Sequence, residues 1–296
     1  MLVGHQKQWN LLKKLAETKT FSHAYLFVGS EKLGKRTLAL QWVSLLFGDK
    51  VSKDFSNHPD FVLVAPEEKE IKISQIRDLI RRFSLKSSFN SVKAAVIDNA
   101  HLMNQEAQTA LLKTLEEPRG DSVLILISDK IHYLLPTILS RVQVIKFNPV
   151  KEEEINRYLL GKGFLKKEAE ELSSISSGKP GLVMDFISDK KAVGAFKKKI
   201  EEVKSLSKSM LYSRFQYVKD LSEEPIETQK ILDIWLNYFR DVLLSRFSSG
   251  NSDISFKSYS ADKLKNIINL IQTTKLLLAQ TNVNARLALE RLVMEM

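Results

Sequence analysis

Five short apolar runs lie in the first half of the chain, separated by segments whose apolar residues recur at helical spacing. The runs are 24–28 (AYLFV), 61–65 (FVLVA), 94–98 (AAVID), 123–128 (VLILIS) and 143–147 (QVIKF). Four are almost continuously apolar, the pattern of strands covered on both faces. The segments 35–47, 74–83 and 104–117 read as helices. In the second, Ile76, Leu79, Ile80 and Phe83 share one face, and Ser74 is placed to cap its N-terminus. Pro118 stops the third. Strand and helix in alternation predict an α/β domain, a parallel sheet wrapped by helices.

The β pattern ends at Pro149. Segments 151–161 and 166–176 read as two short helices, and Ser177-Gly-Lys-Pro-Gly181 as a loop before another. From about residue 203 the chain is mostly helical. The longest helical segment, 228–247, carries Leu232, Trp235, Phe239 and Val242 on one stripe. The Ser-rich stretch 248–260 reads as a connection. The expected divisions are 1–149, 150–202 and 203–296.

Composition narrows the class. With 44% hydrophobic and 27% charged residues, the chain has the means to build a core. No apolar run reaches the ~18 residues of a membrane helix. The stretch MLVGHQKQWNLLKKL lacks the apolar block of a signal peptide. The sequence holds no cysteine, hence no disulfide and no thiolate zinc site. A cytoplasmic protein without membrane contact is expected. The net charge of +10 is spread over both halves and favours a polyanionic partner without proving one. The run Lys197-Lys-Lys199 reads as a solvated helix face. His23, His58 and His132 are scattered, and no metal or catalytic role is read for them.

A glycine loop follows the first run. Gly29-Ser-Glu-Lys-Leu-Gly-Lys35 completes G-x-x-x-x-G-K between a strand and a helix. There, backbone N–H groups and a helix N-terminus can cradle phosphates while the lysine reaches their outer oxygens. Gly29, Gly34 and Lys35 are therefore candidate nucleotide ligands. The next position should supply a hydroxyl to magnesium, but Arg36 has no lone pair to give. Thr37 carries the hydroxyl one residue late, about 100° further round a helix. Asp98 ends the third run, where P-loop ATPases place an acid that orders magnesium; a turn-capping Asp-Asn pair explains it as well. On 74–83, Arg77, Arg81 and Arg82 point outward, Arg77 and Arg81 one turn apart. That spacing suits nucleic-acid phosphates; a solvated amphipathic face diluted by Asp78 is the alternative.

Two later segments carry a resemblance. NQEAQTALLKTLEEP (104–118) and LPTILSRV (135–142) resemble the bacterial DNA polymerase III clamp-loader subunits of the AAA+ family, in which L-L-K-T-L-E-E-P is followed by S-R-C. GHQKQ, SHAYLFVG, NHPDF and IKISQIRDLI agree, and NVNARLALERL is similar to the terminal helix of the delta-prime group. The resemblance implies an AAA+ P-loop domain with a five-stranded parallel sheet, a small helical lid and an all-α collar. It implies a ring with gamma/tau and delta subunits that loads the sliding clamp on primed-template DNA. The family arginine acts in trans as a finger on a neighbour's ATP, which gives Arg141 that role, with Ser140 beside it. Val142 replaces the family cysteine.

The departures from the pattern are informative. AAA+ relatives usually carry a Glu base after the metal acid, and Asn99 cannot accept a proton. The four-cysteine zinc module of many relatives is reduced to 48–57, so no zinc is expected. Leu182 stands where a sensor arginine is common, and Asp129 follows Ser128 in the first-sensor region. These losses favour delta prime, a non-motor ring member needing no cofactor, with ATP or ADP at most weakly held by Lys35, Thr37 and Asp98. A gamma/tau-like motor ATPase with an atypical loop and a freestanding DNA-binding scaffold are the alternatives.

Overall fold

The computed structural model describes residues 3–48, 58–85, 92–118, 120–246, 259–280 and 283–296. The reduced segment at 48–57 and the connection at 248–260 lie, except for their outermost residues, outside the described residues. The chain folds as two compact units, Met1–Met184 and Asp185–Met296.

Unit 1 is built on five parallel strands: β1 (Ala24–Val28), β2 (Phe61–Val64), β3 (Lys93–Ile97), β4 (Ser122–Ser128) and β5 (Gln143–Lys146). Their order is β2-β3-β4-β1-β5. All five apolar runs are strands, each starting and ending within a residue of the expected bounds. In register, Leu26 of β1 stands between Leu126 of β4 and Val144 of β5. The outer strands depart from expectation. β2 is an edge strand and leaves Leu63 exposed; β5 is the other edge, and only Ile145 of its four residues is buried.

Helices cover both faces of this sheet. On one, α1 (Gln6–Thr18) and α2 (Lys35–Leu46) bury Leu12, Leu38 and Trp42 against Tyr25, Phe27, Val96 and Ile125. The Trp42 indole donates to the Leu12 carbonyl at 2.8 Å, joining the two helices. Segment 6–18 gives a weak sequence signal because Leu12 is its only buried residue. On the other face, α3 (Ile73–Ser84), α4 (Gln105–Glu116) and α5 (Pro136–Leu139) bury Ile76, Leu79, Leu111 and Ile138 against Leu26, Ala95 and Leu124. Ser74 does not cap α3. The helix starts one residue earlier, and the Gln75 side chain accepts the Lys72 N–H at 2.9 Å instead. Asn104 caps α4 through Oδ1, which accepts the Ala107 N–H at 2.9 Å. Beyond the sheet come α6 (Glu152–Gly161), α7 (Lys166–Ile175) and α8 (Pro180–Ser188). Pro180 and Gly181 belong to the first turn of α8 rather than to a loop, as proline at a first helical position allows.

Unit 2 holds α9 (Lys190–Lys208), α10 (Leu211–Ser222), α11 (Pro225–Ser245), α12 (Ala261–Gln280) and α13 (Ala285–Met294). The stripe Leu232, Trp235, Phe239 and Val242 is buried against Leu264, Ile267, Ile271, Leu289 and Leu292. Arg214 donates to the carbonyls of Ser207, Ser209 and Val293 at 2.9–3.0 Å, satisfying helix-end acceptors. The lysine run 197–199 is only partly a solvated face. Lys198 is exposed, whereas Lys199 pairs with Glu227 and holds its carboxyl below the usual range. Among the described residues no helix is long and apolar enough to cross a membrane.

Candidate functional site

The glycine loop joins β1 to α2 at the C-terminal end of β1, which lies between β4 and the edge strand β5. Only glycine fits at position 29. Its φ is +157°, and a Cβ there would lie 2.3 Å from the Phe147 carbonyl oxygen. Gly34 caps α2 in the left-handed region at φ +87°. Lys35 is 7% exposed, and its ammonium is turned onto the loop itself, donating to the carbonyls of Gly29 and, at 2.7 Å, Ser30. Burial lowers the Lys35 pKa, against the pull of Asp129, Glu31 and Asp98. The first turn of α8 rests on the same loop, with the Gly181 N–H donating to the Lys32 carbonyl at 2.7 Å. A Cβ on Gly181 would strike the Lys32 backbone at 2.8 Å.

Arg36 and Asp98 meet across the loop. Arg36 Nη1 donates to Asp98 Oδ2 at 3.2 Å, and the other carboxylate oxygen accepts the Asn99 N–H at 3.1 Å. The Asp98 side chain is 13% exposed. In P-loop sites the ion sits between the hydroxyl after the lysine and this acid. Here the first position holds a cation, and the acid already has partners at both oxygens. A guanidinium and Mg²⁺ cannot share one carboxylate oxygen without charge repulsion. The magnesium ion that the loop pattern implies does not fit these residues. Thr37 is exposed on α2.

A second polar cluster lies behind Asp98. His101, on the single 3₁₀ turn after β3, is 9% exposed, and its Nδ1 approaches Asp129 Oδ1 at 3.1 Å and Ser128 Oγ at 3.4 Å. The Asp129 contact lacks hydrogen-bond geometry, so it is electrostatic only. Burial lowers the His101 pKa more than Asp129 and Asp98 raise it. Sequence reasoning passed over His101; its signal was a histidine in a segment otherwise destined for burial.

Arg141 lies at the sheet's open edge, two residues before β5. The one-turn helix α5 positions it. Ile138 is fully buried and anchors that helix, and the Arg141 N–H closes onto the Ile138 carbonyl at 2.9 Å. The guanidinium is held on both sides. Nη1 donates to the Thr137 carbonyl and to Ser140 Oγ, each at 3.0 Å, and Nη2 meets Glu116 Oε1 at 2.8 Å. About a third of the side chain remains exposed (35%). The base is rigid because Gln108 of α4 clamps the segment before α5. Its Nε2 donates to the carbonyls of Met103 and Tyr133 at 3.1 and 3.0 Å, and its Oε1 accepts the Leu135 N–H at 2.8 Å. The segments 104–118 and 135–142 thus form one hydrogen-bonded piece. The sequence showed both segments but not the join.

The three arginines of α3 do not behave alike. Arg77 is exposed, Arg81 pairs with Asp78 at 2.7 Å, and Arg82 turns back to donate to the Phe61 carbonyl of β2 at 3.3 Å. All three remain exposed on α3, with Arg82 also tethered to the sheet edge. His23 contacts the Leu115 carbonyl at 2.9 Å, and His58 stacks on Phe47.

Residues 4–151 match the protein family described as DNA polymerase III, delta subunit. Over 149 residues, 45% of either chain, the sequence is 36% identical to DNA polymerase III subunit delta′ of Pseudomonas aeruginosa. Over 162 residues, 51% of this chain and 49% of that protein, it is 35% identical to subunit delta′ of Bacillus subtilis. The alignments span about half the length of these curated relatives. A solved DNA polymerase III, gamma subunit-related protein from Thermotoga maritima aligns over 97% of both chains, with a TM-score of 0.48 and 24% identity. Because the family match runs through the glycine loop, Asp98, Glu116 and Arg141 alike, the chain belongs to the DNA polymerase III delta-prime family of AAA+ clamp-loader subunits.

Proposed function

We propose that this chain is a non-motor member of a clamp-loader ring, and that it donates Arg141 to an ATP site on a neighbouring subunit. By this reading its companions are gamma/tau and delta subunits, and the ring acts on the sliding clamp and primed-template DNA. The helices after Pro149 serve as lid and collar, and the exposed Arg77, Arg81 and Arg82 are the side chains offered to DNA phosphates. The chain itself turns over no ATP, and it needs neither magnesium nor zinc.

The observation that carries this reading is a contrast between two arginines. Arg36 is engaged within its own chain by Asp98 at the end of β3, where a motor subunit would hold a metal. Arg141 sits on a braced turn at an edge strand, with a third of its surface open to a partner. A finger needs a guanidinium on a rigid base, because the positioning energy must be spent before the phosphate arrives. The Gln108 clamp and the buried Ile138 supply that base.

The test is a reconstituted clamp loader carrying Arg141→Ala. Assembly should be intact, while turnover at the neighbouring site falls by about a thousandfold or more, lowering the ATPase and clamp loading of the whole complex. Unchanged rates in both assays exclude the finger role.

A further inference from the structure

Glu116 is badly placed for the helix that carries it. It is the last residue of α4, followed by Glu117, and an acid there faces the negative end of the helix dipole. Neither N-capping nor core packing accounts for it, since its side chain is 49% exposed. Its one charge partner among the described contacts is Arg141 Nη2 at 2.8 Å. The other edge of that guanidinium is tied by Nη1 to the turn that bears it, at Thr137 and Ser140. One edge of Arg141 is thus anchored to the preceding turn through the Thr137 carbonyl and the Ser140 hydroxyl, and the other is held by an exposed carboxylate.

We propose that Glu116 is an internal anion that occupies Arg141 until the terminal phosphate of a neighbour's nucleoside triphosphate displaces it. The inference rests on the finger role of Arg141. Displacement requires no rebuilding of the turn. Nη1 keeps its bonds to Thr137 and Ser140, and only the partner of Nη2 is exchanged. The carboxylate has one negative charge and is half open to water, so its hold is weak. A triphosphate terminus brings more charge and three acceptor oxygens, and it enters a site from which water is largely excluded. Glu116 therefore lets a triphosphate win the guanidinium while a weaker anion does not. It makes the finger selective for the loaded state of the adjacent site.

This mechanism fixes the sign of the kinetic effect. The pair with Glu116 is broken when the triphosphate first engages Arg141, and it stays broken in the transition state. Removing the competing charge strengthens both states equally, which lowers KM and leaves kcat alone.

The experiment uses the reconstituted complex with ATP as the probe. Glu116→Gln keeps the shape and a hydrogen-bonding oxygen but removes the charge. The ATP concentration for half-maximal turnover should fall about two- to fivefold, with kcat within twofold of wild type. In an Arg141→Ala background the same substitution should do nothing, because Glu116 acts only through Arg141. Glu116→Ala provides a second removal of the charge, and melting of each subunit checks its folding. If Arg141→Ala is impaired while Glu116→Gln matches wild type, the inference fails and the finger survives. A fall in kcat without a fall in KM, or an equal effect on the Arg141→Ala background, overturns it as well. If Arg141→Ala behaves as wild type, the finger reading itself fails.

Discussion

Arg36 and Asp98 form an ion pair at 3.2 Å across the phosphate loop, so the residue that replaces the usual hydroxyl also engages the acid that would have held the metal. The departure at position 36 therefore also changes the surroundings of Asp98. Replacing the hydroxyl by any residue would weaken a metal site; replacing it by a cation that reaches the acid closes the site.

The first expected outcome follows from that pair. Calorimetric titration of the isolated chain with ADP should give the same result with and without Mg²⁺. Arg36→Thr frees Asp98 and restores a hydroxyl, and Mg²⁺ should then tighten ADP binding by about tenfold or more, the worth of one charge-assisted contact. Adding Asp98→Asn should abolish the gain. Magnesium-dependent binding by the wild-type chain would show that the ion pair does not exclude the metal.

Gln108 offers a stability test that also reports on Arg141. Gln108→Leu fills a similar volume but leaves the Leu135 N–H and the Tyr133 and Met103 carbonyls without their partner. Leaving such groups buried and unpaired costs about 2–4 kcal/mol. Denaturant unfolding should register that loss in unit 1. Clamp loaders containing the variant should lose ATPase stimulation even where the subunit remains folded, since the turn bearing Arg141 is no longer clamped. Full activity with lowered stability would separate the clamp from the finger.

The pH dependence of unit 1 has a definite sign. Burial holds the pKa of His101 below its ordinary 6.5, with Lys130 and Lys35 acting in the same direction and Asp129 and Asp98 against it. Below pH 6.5 the unfolded chain therefore binds more protons than the folded one, and stability falls with acidification. Above pH 6.5 both states are neutral at this site, and its contribution is constant. His5, also lowered by burial, adds with the same sign. Unfolding free energies measured between pH 7.5 and 5.5 should drop toward the acid side. His101→Gln should flatten part of the slope and His5→Gln/His101→Gln most of it. A slope untouched in the double variant would mean that other groups set it.

Much of this architecture could be read from the chain alone. Five apolar runs in alternation with helical segments are enough to specify a parallel sheet, because a strand buried on both faces has no polar positions to spare. The loop from Gly29 to Lys35, the stripe through Trp235 and the stop at Pro118 are equally local. Each depends on period, backbone freedom or ring closure within a few residues. The helix 6–18 was missed for the same reason in reverse, since a segment with a single buried side chain, Leu12, has almost no period to detect.

What the sequence could not decide is pairing between distant groups. Arg36 reaches Asp98 over 62 positions, and Gln108 reaches Leu135 over 27. Such contacts depend on strand order and on which helix ends meet above the sheet, and neither is written in local hydrophobic period. The same cause gives Arg82 a tether to β2 that Arg77, five residues earlier on the same exposed face, lacks among the described contacts. By itself the sequence determined which elements form and where the glycine loop must lie. Only the tertiary structure decided which charges meet, because Coulomb energy follows distance in space and not separation along the chain.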